Sequence, residues 1–353
     1  MPQLPTKDHF HTISGNKQVT LHYLQNGNNM KAAITNYGAR MVSLYVPGKE
    51  NERINVIQGY QNIESYINGT ETYCGAIVGR YANRIANGNF QLDGKSYELH
   101  INNPPNTLHG GPFGFHTKVW DVVAADEHQL VLGLFSPDGE EGYPGNLHVM
   151  VAYSLTDDDE LKIEFNAVSD KKTVLNLCNH NYWNLNGEES GTIYKHELML
   201  MAVNYTPVDA TLIPAGVAPV LKTPFDFTSP KSIDKDLHAA DLQLQYGGGY
   251  DHNFVLDKGV TETPEMAGWL RGNQSGITME IHTTEPGIQL YTGNFLPGTN
   301  KLISGTMDDA GTALCLETQH FPDSPNHPEF PTTVLEAGEE FKSTTVYKFL
   351  KGE

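Results

Sequence analysis

The sequence predicts an all-β fold, a large antiparallel β-sandwich or set of stacked sheets with only a few short helices. Apolar residues recur mainly with a period of two, which is typical of half-buried strands. The 34 Gly and 20 Pro of the 353 residues punctuate the connections between these segments. Strand patterns do not alternate with helical ones, which argues against a parallel α/β sheet.

The first half of the chain contains three candidate β-hairpins. Residues 89–99 form the clearest one, because Asp93-Gly94 at its centre accepts the positive φ angles of a type I′ turn. The other two each join two alternating runs across a polar turn: 120–123 with 130–135, and 147–155 with 161–168. The turn at 156–160 is strongly acidic, so we expect it to be exposed to solvent.

The second half continues the strand pattern without a composition shift or linker. We predict strands over residues 174–178, 194–203, 277–282, 288–291, 313–316 and 345–349. The best helical candidate is 230–240. We therefore expect a single domain over 1–353, with residues 1–15 as a flexible N-terminal extension.

Charge and composition narrow the function classes. The 42 acidic and 23 basic residues give a formal net charge of −19, which argues against binding to nucleic acid or to anionic membrane surfaces. No apolar run approaches the ~20 residues of a membrane span, and the N-terminus lacks the pattern of a signal peptide. We expect a cytoplasmic protein, monomeric or homodimeric.

The cysteine and charge content also bears on ligands. The three cysteines, Cys74, Cys178 and Cys315, lie far apart without CxxC spacing, which excludes a disulfide scaffold and a cysteine-based zinc site. Charged residues make up 18%, below the ~25% typical of soluble domains. A surface rich in neutral polar groups favours a neutral polyhydroxylated ligand. Phosphate-binding loops, HExxH zinc helices and GxSxG nucleophile elbows are absent from the sequence.

Four segments interrupt the strand pattern with dense polar, aromatic and turn residues: 79–88, 103–111, 177–185 and 316–326. Binding and catalytic groups are often carried by such loops on a rigid scaffold. In the third segment, His180 is flanked by Asn, Tyr and Trp. It is either an imidazole that contacts a sugar or a surface histidine between packed aromatic residues. In the fourth, Glu317 follows an apolar run and is either a catalytic base or the ion-pair partner of an arginine.

Four further polar residues are candidates for the same site, each with a structural alternative. Arg84 either bridges a buried carboxylate or holds a substrate hydroxyl, and His109, which precedes Gly-Gly, either caps its loop or contacts a ligand. Asp251 either fixes its turn through an Asx hydrogen bond or accepts from a substrate. Gln289 lies inside a predicted strand, where the alternative is a solvent-facing residue.

These segments occur in an order that resembles the galactose mutarotase (aldose 1-epimerase) family. The resemblance extends from about Tyr37 to the C-terminal strand. It rests on Asn83-Arg84 and on the segments 108–111, 137–145, 179–185, 251–254 and 317–323. Family members often have Ser or Thr where this chain has Asn181, and Phe where it has Trp183, so the preferred hexose is left open. The resemblance implies the galactose mutarotase-like supersandwich fold.

The resemblance also implies a function in carbohydrate metabolism. Family members are isomerases that interconvert the α and β anomers of hexoses such as galactose and glucose, without a metal or redox cofactor. By similarity, Glu317 is the base at O1 and His180 the acid at the ring oxygen. The groups implied to bind the sugar are Asn83, Arg84, His109, Tyr182, Asp251 and Gln289.

The implied reaction requires that His180 begins protonated and Glu317 ionised. We expect a carboxylate-rich pocket to raise the pKa of His180, and the nearby Arg84 to lower the pKa of Glu317. Cys178 lies close to His180 in sequence, and we expect it only to pack.

Three other functions are considered. A non-catalytic carbohydrate-binding module of the same fold has no need for both His180 and Glu317. A hexose-6-phosphate epimerase relative should gather basic residues around the phosphate, and the sequence gives little sign of such a cluster. A glycosidase needs two carboxylates about the scissile bond, and no second acid matched to Glu317 is evident from the sequence.

Overall fold

The computed structural model describes residues 4–50 and 52–352, and most of its regular structure is β-strand. The two α-helices are short: α1 (Ile63–Asn68) and α2 (Leu242–Gly247). No helix in these ranges is long and apolar enough to cross a membrane.

The strands are mostly antiparallel neighbours joined by turns. In chain order they are β1 (Thr12–Ser14), β2 (Lys17–Val19), β3 (Leu21–Gln25), β4 (Lys31–Thr35), β5 (Arg40–Pro47), β6 (Arg53–Asn55), β7 (Ile77–Val78), β8 (Arg84–Ile85), β9 (Asn89–Leu92), β10 (Lys95–Glu98), β11 (Thr107–Leu108), β12 (Asp121–Ala125), β13 (Gln129–Ser136), β14 (Leu147–Leu155), β15 (Glu160–Ser169), β16 (Thr173–Val174), β17 (Cys178–Asn179), β18 (Glu197–Leu200), β19 (Asn204–Tyr205), β20 (Ala218–Pro219), β21 (Lys231–Ser232), β22 (Asp251–Val255), β23 (Glu265–Arg271), β24 (Thr278–Thr283), β25 (Gly287–Tyr291), β26 (Pro297–Lys301), β27 (Met307–Asp309), β28 (Cys315–Gln319), β29 (Val334–Leu335) and β30 (Glu340–Leu350).

A nine-stranded sheet carries much of the hydrophobic core. Its spatial order is β12-β13-β14-β15-β30-β24-β23-β18-β21, and its strand pairs are antiparallel. Burial alternates along β14 and β15, so that Val151 and Ile163 point into the core while Met150 on β14 is exposed. This period-two pattern confirms the predicted all-β sandwich.

A five-stranded sheet, in the order β20-β19-β22-β25-β28, supports the polar site. On one face, Ile288, Leu290 and Leu316 join the same core cluster as the large sheet. On the other face lie Gln289 and Glu317, which are directly opposite each other in the register. Because side chains alternate between faces, the sheet buries an apolar surface and presents a polar one.

The three predicted hairpins are confirmed. In the first, Leu92 pairs with Lys95, and Asp93 and Gly94 between them have φ angles of 50° and 75°. Asp tolerates this left-handed region and Gly adopts it without a Cβ clash, as the type I′ turn requires. The other two hairpins are β12–β13 and β14–β15.

The helix predicted over 230–240 is wrong. Residues Lys231–Ser232 instead pair with β18, and Ile233–Lys235 form one 3₁₀ turn. Ile233 and Leu237 are both buried at a helical spacing, which explains the misleading pattern. The backbone N–H of Ile233 donates to the carbonyl of His196, so strand pairing overrides the local periodicity.

Strand boundaries differ from prediction where the backbone changes partner. Residues 174–178 were predicted as one strand, but they form the separate pairs β16–β29 and β17–β7. Between them, Asn176 donates its backbone N–H to the carbonyl of Arg80. The strand predicted over 194–203 is reduced to β18. The other four predicted strands correspond to β24, β25, β28 and β30, and β28 begins two residues and ends three residues later than predicted.

Part of the N-terminal segment packs on the sheets. Residues 1–3 of the predicted 1–15 extension lie outside the described residues. Phe10 is fully buried, and its ring lies 6.2 Å from that of Tyr66.

Candidate active site

A cavity of about 490 Å³ lies on the polar face of the five-stranded sheet. Its size is in the range of small-molecule sites. Most of the predicted site residues line it, namely Asn83, Arg84, His109, His180, Tyr182, Asp251 and Glu317. Gln289 lies next to the cavity, where it hydrogen-bonds to Asp251. The chain thus brings all the predicted groups together from segments more than 230 residues apart.

His180 and Glu317 face each other across this cavity. His180 follows β17 directly, and Glu317 is the central residue of β28. The His180 Nε2 atom lies 3.7 Å from Glu317 Oε1, and both side chains are almost fully buried. The alternative of a surface histidine is therefore wrong. The Glu317 carboxyl group thus faces an imidazole rather than an arginine.

Arg84 and Asp251 form a polar network beside this pair. The Gln289 amide donates to Asp251 Oδ1 at 2.7 Å, and Arg84 Nη1 lies 3.9 Å from Asp251 Oδ2. Arg84 Nε donates to Asn103 Oδ1 at 3.1 Å. Gln289 is 3% exposed, so it is not a solvent-facing strand residue. Asp251 is held by partners across the cavity, not by an Asx bond within its turn.

His109 and Asn83 are linked through the backbone. The Asn83 N–H donates to His109 Nδ1 at 3.1 Å, so the other ring nitrogen, Nε2, carries the proton of the neutral imidazole. Both residues have positive φ, 64° for Asn83 and 51° for His109, which turns the two loops towards each other. His109 thus caps its loop through Nδ1, as one alternative predicted, and it also lines the cavity.

Three residues near His180 and Glu317 were missed by sequence reasoning. Tyr73 packs its ring against His109 and His180, with centroid distances of 4.6 and 5.9 Å. Glu71 lines the cavity, and its Oε1 accepts the backbone N–H of Tyr73 at 2.8 Å. Arg40, which is fully buried, binds the loops beneath them. The surrounding sequence shows no motif that could have indicated these roles.

Comparison with known proteins now places the chain in a family. The family model described as aldose 1-epimerase matches residues 20–348. The chain belongs to the aldose 1-epimerase family. The galactose mutarotase of Homo sapiens is 42% identical over 321 residues, which are 91% of each chain. The aldose 1-epimerase of Escherichia coli K12 is 38% identical over 332 residues, 93% of this chain and 94% of the relative.

Solved structures of aldose 1-epimerase relatives share the fold. The crystal structure of an aldose epimerase homologue from C. elegans has a TM-score of 0.87 at 30% identity and covers 95% of this chain and 100% of its own. That of galactose 1-epimerase from Lactobacillus acidophilus has a TM-score of 0.84 at 30% identity, covering 97% and 98%. The predicted mutarotase-like supersandwich is confirmed.

The pKa values of His180 and Glu317 shift in the directions opposite to those expected from the sequence. Burial raises the pKa of Glu317 to about 8, with Asp251 adding to the shift, while the Cys178 thiol and Arg84 oppose it. Burial also lowers the pKa of His180 to about 4; its own backbone opposes this shift and Arg40 adds to it. The expected directions of both pKa shifts are therefore wrong, because desolvation outweighs the neighbouring charges.

Among the described residues, one group of side chains has the spacing of metal ligands, and it lies in the cavity. Possible ligand atoms of His109, His180 and Glu317 all lie within 4.8 Å of one another. However, His109 Nδ1 accepts a backbone N–H, so Nε2 keeps its proton and has no lone pair for a metal. Only two ligands remain, fewer than the three that catalytic zinc sites use.

Proposed function

We propose that the chain, an aldose 1-epimerase, interconverts the α and β anomers of galactose and related hexoses with Glu317 as the base and His180 as the acid. The observation that supports these roles is the 3.7 Å approach of a buried imidazole and a buried carboxylate inside a polar cavity. The two atoms of the sugar that exchange protons, O1 and the ring oxygen, are bonded to the same carbon. A closely facing acid–base pair can therefore serve both.

The proton balance of the reaction fits this pair. Glu317 takes the proton from O1 while His180 gives a proton to the ring oxygen, so C1=O1 forms as the C1–ring-oxygen bond breaks. After rotation about C1–C2, the C5 hydroxyl returns its proton to His180 and attacks the other face, and Glu317 reprotonates O1. The carbon oxidation level does not change, so acid–base chemistry alone suffices.

The remaining groups have complementary hydrogen-bonding roles. His109 Nε2–H and the Arg84 guanidinium donate, while the Asp251 carboxylate accepts. Asp251 is fixed by Gln289, which limits the sugar orientations that can satisfy it. Tyr182, whose ring centroid lies 5.1 Å from that of His180, closes the cavity beside the acid.

The pKa shifts of His180 and Glu317 are compatible with these roles. Neutral His180 with protonated Glu317, and protonated His180 with ionised Glu317, both contain one proton on the pair. Sugar hydroxyls that donate hydrogen bonds to Glu317 favour its ionised form. Binding thus moves the existing proton towards His180 without requiring one from solvent.

We expect kcat/KM to follow a bell-shaped pH profile with limbs near pH 4 and pH 8. Below about pH 4, His180 is protonated as well as Glu317, so the pair carries two protons and no base remains. Above about pH 8, Glu317 loses the only proton and no acid remains. These are properties of the coupled pair. Initial mutarotation rates, corrected for the buffer-catalysed reaction, measure the profile; a rate that is flat across both limbs would contradict the one-proton requirement.

Polarimetry tests the function itself. Freshly dissolved α-galactose and α-glucose are followed with and without the purified protein, in EDTA. We expect faster approach to the unchanged equilibrium rotation, and the ratio of the two rates gives the hexose preference. No acceleration, with sugar binding still detected by calorimetry, would instead support a non-catalytic binding module.

The other two alternatives are less well supported by the cavity. Arg84 is the only lysine or arginine among the described lining residues, against the three carboxylates of Glu71, Asp251 and Glu317, which disfavours a phosphorylated sugar. A glycosidase needs a second carboxylate matched to Glu317, and the cavity does bring Glu71 and Asp251 near it. Both other carboxylates are, however, engaged: Asp251 with Gln289, and Glu71 with the backbone of Tyr73.

A further inference from the structure

Cys178 contacts the catalytic carboxylate directly. Its thiol donates to Glu317 Oε2 at a sulfur–oxygen distance of 3.2 Å, and the residue is 1% exposed. Cys178 lies on β17, paired with Val78 of β7, and packs with Val78 and Ala82 in a small apolar cluster. Among the described residues, this thiol makes the only hydrogen bond to the Glu317 side chain. The expectation that Cys178 only packs is therefore too narrow.

The contact distinguishes the two oxygens of the carboxylate. Oε2 accepts from the thiol, whereas Oε1 lies 3.7 Å from His180 Nε2. We propose that Cys178 is a positioning residue, which holds Oε2 so that Oε1 faces His180 and the sugar O1. This inference rests on the proposed function, because it concerns the orientation of the proposed base.

A thiol suits this position because it is a weak donor. A stronger hydroxyl donor would stabilise the ionised carboxylate more and make it a poorer base, whereas no donor would leave the carboxylate free to rotate. Burial raises the pKa of Cys178 well above its ordinary value, so the sulfur keeps its proton and remains a donor. A thiolate here would repel the ionised form of Glu317.

A Cys178 substitution leaves the other charged and titratable residues around His180 and Glu317 in place. Arg84 opposes the raised pKa of Glu317, and Asp251 and Glu71 add to it. Cys315, two residues before Glu317, lies 3.5 Å from His180 Nδ1. The titratable and charged groups around Glu317 are Glu71, Arg84, Asp251 and Tyr347. Those around His180 are Arg40, Tyr73, His109, His116, Tyr182 and Cys315. A shift in the pH profile of a Cys178 variant therefore reports on the thiol itself.

The test compares Cys178→Ala and Cys178→Ser in the full-length protein. Loss of a hydrogen bond to a charged group, here from a weak donor, should reduce kcat about tenfold in Cys178→Ala with KM little changed. The alkaline limb of kcat/KM should move to higher pH, because the ionised carboxylate has lost its donor. In Cys178→Ser, kcat should recover most of the loss, and the alkaline limb should move below that of the wild type.

Cys74 provides the matched control. It is also a buried thiol, but it donates to the backbone carbonyl of Gln58 at 3.4 Å and does not line the cavity. Cys74→Ala and Cys74→Ser should leave kcat and both limbs unchanged, whatever their effect on thermal unfolding. If Cys178→Ala does not fold, the downward limb shift of Cys178→Ser carries the test.

Opposite limb shifts in the two Cys178 variants support the inference. The inference would be overturned if both variants had the wild-type kcat and pH profile, or if they lost thermal stability while the limbs of the pH profile did not move. Either result would leave the proposed function intact. Wild-type protein that does not accelerate mutarotation would overturn the proposed function, and the positioning role with it.

Discussion

Replacing Glu317 by Gln should reduce kcat for mutarotation by about 10²–10⁴-fold, the contribution typical of a positioned general base. The amide has nearly the same shape and can still accept from Cys178, but it cannot take the proton of O1. Sugar binding should persist, because Arg84, His109 and Asp251 are unchanged. Polarimetry measures the rate and calorimetry the affinity.

His180→Asn should cause a loss of similar size, since it removes the acid at the ring oxygen. The double variant should be little slower than either single one, because the two groups act as a unit. His148→Asn and Glu164→Gln are matched controls on β14 and β15, outside the cavity, and should retain wild-type rates. Full activity in either single catalytic variant would refute the assigned roles.

Replacing Arg40 by Met should cause the largest loss of stability, about 3–5 kcal/mol, because it removes a buried charged donor and leaves several carbonyls without partners. Arg40 is 1% exposed and donates to the carbonyls of Tyr37, Thr72, Cys74 and His116 at 2.7–3.2 Å. These carbonyls belong to three separate segments of the chain, at residues 37, 72–74 and 116. The planar guanidinium binds them simultaneously.

The loss is measured as a shift in the urea or thermal unfolding midpoint. Arg40→Lys should recover only part of it, since an ammonium cannot reproduce the geometry of the guanidinium fork. Arg53→Met is the control, because that side chain bonds at the surface to Asn29 and its loss should change stability by no more than about 0.5 kcal/mol. A midpoint for Arg40→Met that matches this control would contradict the bracing role.

Sequence reasoning succeeded where the cause of the structure is local. The Asp93-Gly94 hairpin follows from the conformational freedom of two residues and the alternation beside them. It failed at 230–240, where Ile233 and Leu237 have a helical spacing but the backbone pairs with β18. A distant partner decided that segment, and no local pattern contains it.

Part of the candidate site was also predictable from the sequence, and part was not. The segments containing His180 and Glu317 were evident as unusual polar stretches, and the family resemblance gave their roles. The directions of their pKa shifts were not predictable, because they depend on how completely the folded chain excludes water. Arg40 was missed for a related reason: a lone arginine at the start of an apolar strand does not show that three distant carbonyls will join that of Tyr37 around it.

The polar face of the five-stranded sheet has a consequence for how this site can vary. Side chains alternate between the two faces along β25 and β28. Gln289 and Glu317 therefore lie on the polar face, and their neighbours Leu290 and Leu316 point into the core. Deletion of a single residue beside Glu317 in β28 would reverse this parity and bring Leu316 or Thr318 to the position of Glu317. Substitutions can therefore alter the chemistry one group at a time, whereas length changes inside these strands exchange the core and the catalytic surface together.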